Sequence, residues 1–136
     1  MTGKEFDLEI VTPKRIVYGA KVLSFSAPGV MGGFQVLHSH APLLSILKVG
    51  EVKVLNAEGK ELRYATSGGF VEVRNNKVVM LAETAERSDE IDVERAKSSA
   101  SRAQKRIAEK PAEVDIERAR ISLMRALNRL KVSGLA

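Results

Sequence analysis

Cysteine and tryptophan are absent from the 136 residues, and aromatic residues make up only 4% of them. Without cysteine the chain can form no disulfide, no thiolate nucleophile and no zinc site that needs Cys ligands. No aromatic residue follows Phe70, so the C-terminal part offers no platform on which single-stranded bases could stack. These absences exclude disulfide and thiolate chemistry and leave base stacking unsupported.

Long apolar runs are also missing, because no segment approaches the ~18 apolar residues of a membrane span. The N-terminal residues lead directly into an alternating pattern and resemble neither a signal peptide nor a transit peptide. The sequence therefore predicts a location in the cytosol or an equivalent plastid space. Hydrophobic residues at 44% and charged residues at 29% are typical of a soluble globular chain.

Residues 1–87 are predicted to form a β body. Phe6–Val11 alternates apolar and acidic residues, which is the period of a half-buried strand. Asn75 and Asn76 separate two such runs and fit a two-residue turn, because Asn tolerates positive φ. The other predicted strands are Val22–Ala27 (ended by Pro28), Glu51–Leu55, Glu61–Ala65, Phe70–Arg74 and Lys77–Leu81. Short strands at this spacing predict a sandwich or a barrel.

Residues 88–136 are predicted to be helical, since good helix formers dominate there and the only proline is Pro111. Ser88 is the expected N-cap of the first helix, with acidic residues in its first turn. The segment around Pro111 should break the helix, and a second helix should run from about Glu113 to Gly134.

The two predicted helices form an internal repeat, because residues 91–107 match residues 114–130 at one fixed offset. Each has a heptad stripe, and the short connection predicts antiparallel packing. The stripes are Ala96, Ala100, Ala103 and Ile107, then Ile116, Ala119, Leu123, Ala126 and Leu130. A stripe of alanines buries little area, so the hairpin is predicted to separate readily from itself or from the β body.

The second helix is purely basic after Glu117. Arg118, Arg125 and Arg129 follow at spacings of seven and four and so share one face. Such a row is either a solvated face or a contact for an acidic protein or a phosphate group. The absence of compensating acids favours an acidic partner.

No catalytic or metal constellation is evident. His38 and His40 could face one side of a strand, but no nearby acid completes a metal site, so a turn or interface role is favoured. Ser67 precedes two glycines and is interpreted as part of a turn. Residues 29–44 mix glycine with apolar residues and fit either a wide loop feeding a buried strand or an interaction loop.

Four motifs in this order resemble the epsilon subunit of bacterial F-type ATP synthase over essentially the whole chain. They are His40-Ala41-Pro42-Leu43-Leu44, Ser67-Gly68-Gly69-Phe70-Val71-Glu72-Val73, Ala85-Glu86-Arg87 and Ile91-Asp92 followed by Arg95-Ala96. The resemblance implies an N-terminal β-sandwich over 1–87 followed by a C-terminal antiparallel two-helix hairpin over 88–136.

The resemblance also implies a non-catalytic rotor subunit of a proton-translocating complex. Its partners would be the gamma subunit and the c-ring, which bind the sandwich, and the alpha and beta catalytic subunits. The hairpin would inhibit ATP hydrolysis through Arg118, Arg125 and Arg129. The chain would lie at the cytoplasmic face of the bacterial membrane, held there only through the complex.

Some relatives bind ATP in the folded hairpin as a regulatory ligand, and no other cofactor is expected. The matching positions are Glu86, Asp92, Arg95, Ala96, Arg102, Arg125 and Arg129. The c-ring-facing loop departs from the family pattern, with Gly33 in place of an acid; its candidate contacts are Met31, Phe34 and His38. The alternative function is a basic module for nucleic acid or an anionic surface.

Overall fold

The computed structural model describes residues 4–109 and 112–134. They fall into two compact units, one ending at Arg87 and the other beginning at Ser88. The first unit is a nine-stranded β-sandwich and the second contains two helices, which confirms the predicted fold class. The strands are β1 (Phe6–Val11), β2 (Ile16–Gly29), β3 (Gly32–Val36), β4 (Leu43–Leu47), β5 (Gly50–Asn56), β6 (Glu61–Thr66), β7 (Gly69–Arg74), β8 (Lys77–Ala82) and β9 (Ala85–Arg87).

The sandwich core follows the alternation of the strands. In β1, Phe6, Leu8 and Ile10 are buried while Asp7 between them is exposed. The same period places alternate side chains of β5, β7 and β8, mostly valines, in one hydrophobic cluster with those of β1. Burial of this apolar surface is the main force that holds the unit together.

The strands run in the order β1–β8–β7–β4–β2–β5–β6–β9, with β3 on β2. β1 also pairs with β2, so the 14-residue β2 lies between two groups of strands, β1–β8–β7–β4 and β5–β6–β9. The predicted turn between β7 and β8 is confirmed, since Asn75 and Asn76 have φ values of 53° and 58°. The β1–β8 pair is parallel, and the other described pairs are antiparallel.

Two expectations for the N-terminal third are wrong. β2 does not end before Pro28 but continues to Gly29, because the proline lies at the next-to-last rung of the β2–β3 ladder, near the end of the strand, where a missing N–H disrupts little. Of the two interpretations of residues 29–44, the wide loop is wrong and the interaction loop stays a prediction. They form a tight hairpin with Val30 and Met31 at its tip, then β3, then a link to β4.

The start of the helical unit also differs from expectation. Ser88 opens a 3-10 turn over Ser88–Glu90 and is not the N-cap of the first α-helix. That helix, α1 (Val93–Ala108), is capped by Asp92, whose side chain accepts a hydrogen bond from the backbone N–H of Arg95 at 3.1 Å. Either residue type can cap a helix, and here the buried Ile91 separates the 3-10 turn from α1.

The second helix, α2, spans Glu113–Ser133 and ends at Gly134, whose φ of 88° confirms the predicted C-terminal stop. Lys110 and Pro111, where the break was predicted, lie outside the described residues. Within the part of the chain that the structure describes, no helix is long and apolar enough to cross a membrane.

Candidate functional site

The helical unit rests on a stripe of small residues. α1 and α2 pack against each other, and Ala96, Ala100 and Ala103 on α1 are buried. On α2, Ala119 and Ala126 are buried at the positions that match Ala96 and Ala103 in the repeat. Alanine allows two helix axes to approach closely, but each residue removes little apolar area from water.

The predicted Arg row lies on α2, and its members differ in burial. Arg118 is exposed, whereas Arg125 and Arg129 are half-buried and the Nε atom of Arg125 is buried. Arg118 lines a shallow pocket together with Arg106, Glu109 and Asp115, so two carboxylates share its surroundings.

Other charges on the helices pair locally. Arg120 donates to Glu117 at 3.1 Å, and the equivalent Lys97 lies 3.9 Å from Glu94 on α1. Both are exposed pairs of spacing i, i+3, which contribute little to stability. The repeat thus includes equivalent ion pairs on the two helices. The row of Arg118, Arg125 and Arg129 lies on a different side of α2 from Arg120.

An apolar strip lies on the side of α2 away from the buried alanines. At 100° per residue, Ile121, Met124 and Leu127 follow one another around that side. All three are exposed, at 44%, 55% and 46% of their surface. An exposed strip of this kind beside a basic row suits a contact with another protein more than a purely solvated surface.

Six of the seven positions proposed for ATP lie in the helical unit. Asp92 is the N-cap of α1, and Arg95 and Ala96 lie in its first turn; Ala96 is buried and the other two are exposed. Arg102 follows Arg95 by seven residues on the same face, is exposed, and donates to the hydroxyl of Ser99 at 3.2 Å. The remaining two are the half-buried Arg125 and Arg129 of α2.

The seventh position, Glu86, is half-buried on β9 in the sandwich unit. Taken together, the set contains two acids and four arginines. Guanidinium groups donate several hydrogen bonds in a fixed plane and suit phosphate oxygens, whereas a carboxylate can accept from an amino group of a base.

The three candidate ring-facing residues occupy different environments. Met31 is 97% exposed at the tip of the β2–β3 hairpin. Phe34 lies on β3, partly buried against the sandwich core, so its ring stabilises the hairpin. His38 is exposed in the turn before Ser39, whose φ is 58° and whose N–H donates to the Asn76 side chain at 2.7 Å.

Sequence reasoning missed an apolar row that crosses the outside of the sandwich. Ile46 on β4 lies opposite Phe70 on β7, which lies opposite Leu81 on β8. These side chains are exposed by 64%, 45% and 39%, and Leu44 on β4 by 71%. The backbone N–H of Val30 donates to the carbonyl of Ile46, which extends the row to the hairpin tip. The sequence signal was β4 itself, whose residues are apolar on both faces.

No metal centre is evident, since no group of three His, Cys, Asp or Glu side chains is clustered among the described residues. His38 and His40 do not lie on a strand, and the ring of His40 instead contacts the carbonyl of Ala41 at 2.6 Å. The interpretation as turn residues agrees with this geometry.

These features define a two-unit protein, a β-sandwich followed by a basic helical hairpin. The chain belongs to the ATP synthase delta/epsilon chain family: the β-sandwich domain of that family matches residues 5–88, and its long α-helix domain matches residues 89–134. The resemblance drawn from the sequence motifs is thereby confirmed.

Similar proteins support the assignment. The chain is 52% identical to the ATP synthase epsilon chain of Pelotomaculum thermopropionicum, over 98% of this chain and 99% of the relative. It is 47% identical to that of Desulforamulus reducens, over 93% and 95%. Among solved structures, the fold resembles a chain of the Euglena gracilis mitochondrial ATP synthase with a TM-score of 0.81, at 22% identity, covering 91% of this chain and 78% of that one.

Proposed function

We propose that this chain is a non-catalytic central-stalk subunit of a proton-translocating ATP synthase, and that its helical hairpin inhibits ATP hydrolysis. The observation that carries the proposal is the charge of α2, where Arg118, Arg125 and Arg129 share one face and no acid follows Glu117. A basic face of this kind is complementary to an acidic partner.

The inhibitory contact is with acidic segments of the alpha and beta catalytic subunits. Inserted between those subunits, α2 would also bury the strip of Ile121, Met124 and Leu127. Charged pairs removed from water at such an interface fix the orientation of the helix, while the apolar strip supplies the adhesion. The thin alanine stripe between α1 and α2 supports this role, because a weakly adhering hairpin can open at low cost.

ATP acts as the regulatory ligand that retains the folded hairpin. Its phosphates would occupy Arg125 and Arg129, which also belong to the inhibitory face. The two bound states therefore exclude each other, and a ligand that binds only one of them shifts the population towards it. ATP at high concentration would disfavour inhibition.

The sandwich attaches the chain to the rotor. The apolar row of Leu44, Ile46, Phe70 and Leu81 docks on the gamma subunit, since an exposed patch that crosses several strands is typical of a permanent interface. The Met31 tip faces the c-ring. The chain is then held at the cytoplasmic face of the bacterial membrane through the complex.

The test uses ATPase complexes from which this subunit has been removed. Adding the full chain at low ATP should lower hydrolysis, and a chain ending at Arg87 should bind the complex without lowering it. The double variant R118Q/R125Q should lose most of the inhibition. The control K97Q/K105Q removes the same charge from exposed positions of α1 and should inhibit like the natural chain. Unchanged hydrolysis at saturating natural chain would refute the inhibitory role.

A further inference from the structure

A shallow pocket lies where α1 ends and α2 begins, and the function proposed above assigns no ligand to it. Arg106 and Glu109 line it from the end of α1, and Asp115 and Arg118 line it from the start of α2. Its volume is about 280 Å³, near the lower end of ligand pockets, which measure about 300–1,000 Å³. It can therefore hold the charged groups of a small molecule while the remainder stays in solvent.

The charges of this pocket are not paired with one another. Over residues 4–109 and 112–134, none of its four side chains forms a hydrogen bond or an ion pair. Other charges on the same helix do pair, since Arg120 donates to Glu117 at 3.1 Å. Two guanidinium groups and two carboxylates thus share one pocket, with their hydrogen-bonding groups available to a ligand.

This combination of charges suits a ligand that is both an anion and a hydrogen-bond donor. A guanidinium group donates to two phosphate oxygens at once, which makes Arg106 and Arg118 suitable for a phosphate chain. When ionised, Glu109 and Asp115 only accept hydrogen bonds, so they need an N–H group from the same ligand. A bare phosphate would bring no such donor, and both carboxylates would repel it. A nucleotide whose base carries an amino group brings phosphate and donor together.

The internal repeat relates this pocket to the residues proposed for ATP. A shift of 23 positions along the chain converts each lining residue into an identical member of that set: Arg106 into Arg129, Glu109 into Glu86, Asp115 into Asp92 and Arg118 into Arg95. The same shift exchanges Arg102 with Arg125 and Ala96 with Ala119. Ten of the 24 positions aligned between 86–109 and 109–132 are identical, and all six pairs from the ATP set are among those ten. The repeat thus preserves the proposed ATP positions more closely than the rest of the two segments.

The packing of the helices retains this relationship. Only residues 109–112 connect α1 to α2, so helices that pack side by side across so short a connection run antiparallel. Ala96 and Ala103 on α1 are buried, as are their equivalents Ala119 and Ala126 on α2. Antiparallel helices that pack through equivalent residues are related by an approximate two-fold axis, which exchanges the start of one helix with the start of the other. The whole second set lies within the helical unit, so this relationship needs nothing from the sandwich.

We propose that this pocket is a second binding site for an adenine nucleotide. Arg106 and Arg118 bind its phosphates, and the carboxylates of Glu109 and Asp115 accept from the amino group of its base. The choice of an adenine nucleotide rests on the ATP regulation proposed above, whereas the pocket and its unpaired charges do not.

The second site has a consequence for the inhibitory face. Arg118 is the member of the Arg row that the first ATP set lacks. A nucleotide in the first set would occupy Arg125 and Arg129, and a nucleotide in the pocket would occupy Arg118. The two together would cover the whole row, so inhibition would be fully relieved only when both sites are filled.

The test is a titration of the full chain with ATP, followed at each backbone amide by proton–nitrogen correlation NMR. The amides of Asp115 and Arg118 report on the pocket, and those of Asp92 and Arg95 report on the first set. R106Q removes a pocket arginine that belongs neither to the first set nor to the Arg row. It should weaken ATP binding at the pocket amides at least fivefold and leave the midpoint at Asp92 and Arg95 within twofold.

K105Q is the matched control, because Lys105 is the exposed neighbour of Arg106 on α1 and is not among the residues that line the pocket. It removes the same charge and should leave the midpoint at the pocket amides within twofold. Equal weakening by R106Q and K105Q would mean that the net charge of the helices attracts ATP, and the site would be refuted. Pocket amides that do not shift with ATP in the natural chain would refute it as well.

Inorganic tripolyphosphate distinguishes a nucleotide from a phosphate chain. The pocket should bind ATP at least fivefold more tightly than tripolyphosphate, and E109Q should remove most of that preference. Equal midpoints for the two ligands in the natural chain would overturn the nucleotide assignment. If the amides of Asp92 and Arg95 stay fixed while those of the pocket titrate, the ATP regulation proposed above fails and the second site stands. The reverse result supports that regulation and refutes only the second site.

Discussion

The carboxylate of Asp92 accepts a hydrogen bond at 3.1 Å from the backbone N–H of Arg95, and this bond marks where α1 begins. Asp115 occupies the matching position of the repeat but lies inside α2, which begins at Glu113 after Ala112 without a side-chain cap. The two helices share one sequence repeat but begin differently. The aspartates at the matching positions, Asp92 and Asp115, therefore have different structural roles.

D92A is expected to destabilise α1 by about 0.5–2 kcal/mol, because one N–H of the first turn loses its acceptor. D115A should cost less, since it removes only an acid from an already formed first turn. Amide exchange in the first turn of each helix measures both. Equal loss of protection in the two variants would contradict the cap assignment.

D92N separates the cap from the proposed ATP contact, because Asn caps helices about as well as Asp but carries no charge. The stability of α1 should stay unchanged. If the carboxylate contacts the nucleotide, any rise in melting temperature caused by ATP should fall sharply. A calorimetric titration with ATP provides the second measurement, and undiminished binding by D92N would show that Asp92 serves only as a cap.

G69A should be among the most damaging substitutions in the sandwich. Gly69 has a φ of 149°, and an added Cβ would lie 2.1 Å from the carbonyl oxygen of Leu81. Backbone strain and overpacking together predict a loss of about 2–6 kcal/mol. Gly59 is the matched control: its φ is 85°, but a Cβ there meets no atom within 4 Å, so G59A should cost only about 1–2 kcal/mol of conformational strain. Denaturant unfolding of both variants measures the difference.

The local parts of this fold were predictable from the sequence, and the parts set by distant pairing were not. The turn at Asn75 and Asn76 was predictable because asparagine tolerates positive φ wherever it stands in a chain. β2 was predicted too short because Tyr18-Gly19-Ala20 has no clear alternation; its strand conformation comes from pairing with β1. The same distinction holds for the candidate site. The Arg row follows from helical spacing, whereas the row of Ile46, Phe70 and Leu81 exists only once the register of three strands is known.

Alkaline pH should weaken the sandwich through Tyr18. Burial, with a smaller contribution from the carboxylate of Glu58, raises the pKa of Tyr18. The folded state therefore disfavours the phenolate, so the stabilisation is complete below the unfolded pKa of about 10 and is lost as pH rises through the folded value. Y18F should make stability less dependent on pH above 10. The ring contact with Tyr64, with centroids 6.5 Å apart, should survive this change because Phe keeps the ring.

The alanine stripe of the hairpin should tolerate no enlargement. Ala126 is fully buried, and A126L adds three carbon atoms where two helices pack closely. Overpacking should cost about 1–3 kcal/mol and raise amide exchange in α1 and α2, with the sandwich unaffected. In the natural chain the hairpin should already exchange faster than the β core, and equally deep protection would contradict a readily opened hairpin. A108L is the exposed control, because it adds the same three carbon atoms at an exposed position of α1, outside the stripe.

The apolar row of the sandwich gives the most direct test of rotor attachment. I46E places a carboxylate at the centre of the row, where Ile46 is 64% exposed, so the isolated chain should fold with nearly unchanged stability. Binding to complexes that lack the subunit should weaken at least tenfold, because a docked carboxylate would be buried without a partner.

S26E is the matched control and places the same charge on β2. Ser26 is half-buried and lies opposite Gln35 of β3 and Lys53 of β5. Equal binding by I46E and the natural chain would mean that the row faces solvent in the assembly. Equal weakening by S26E would mean that added charge, and not this row, governs attachment.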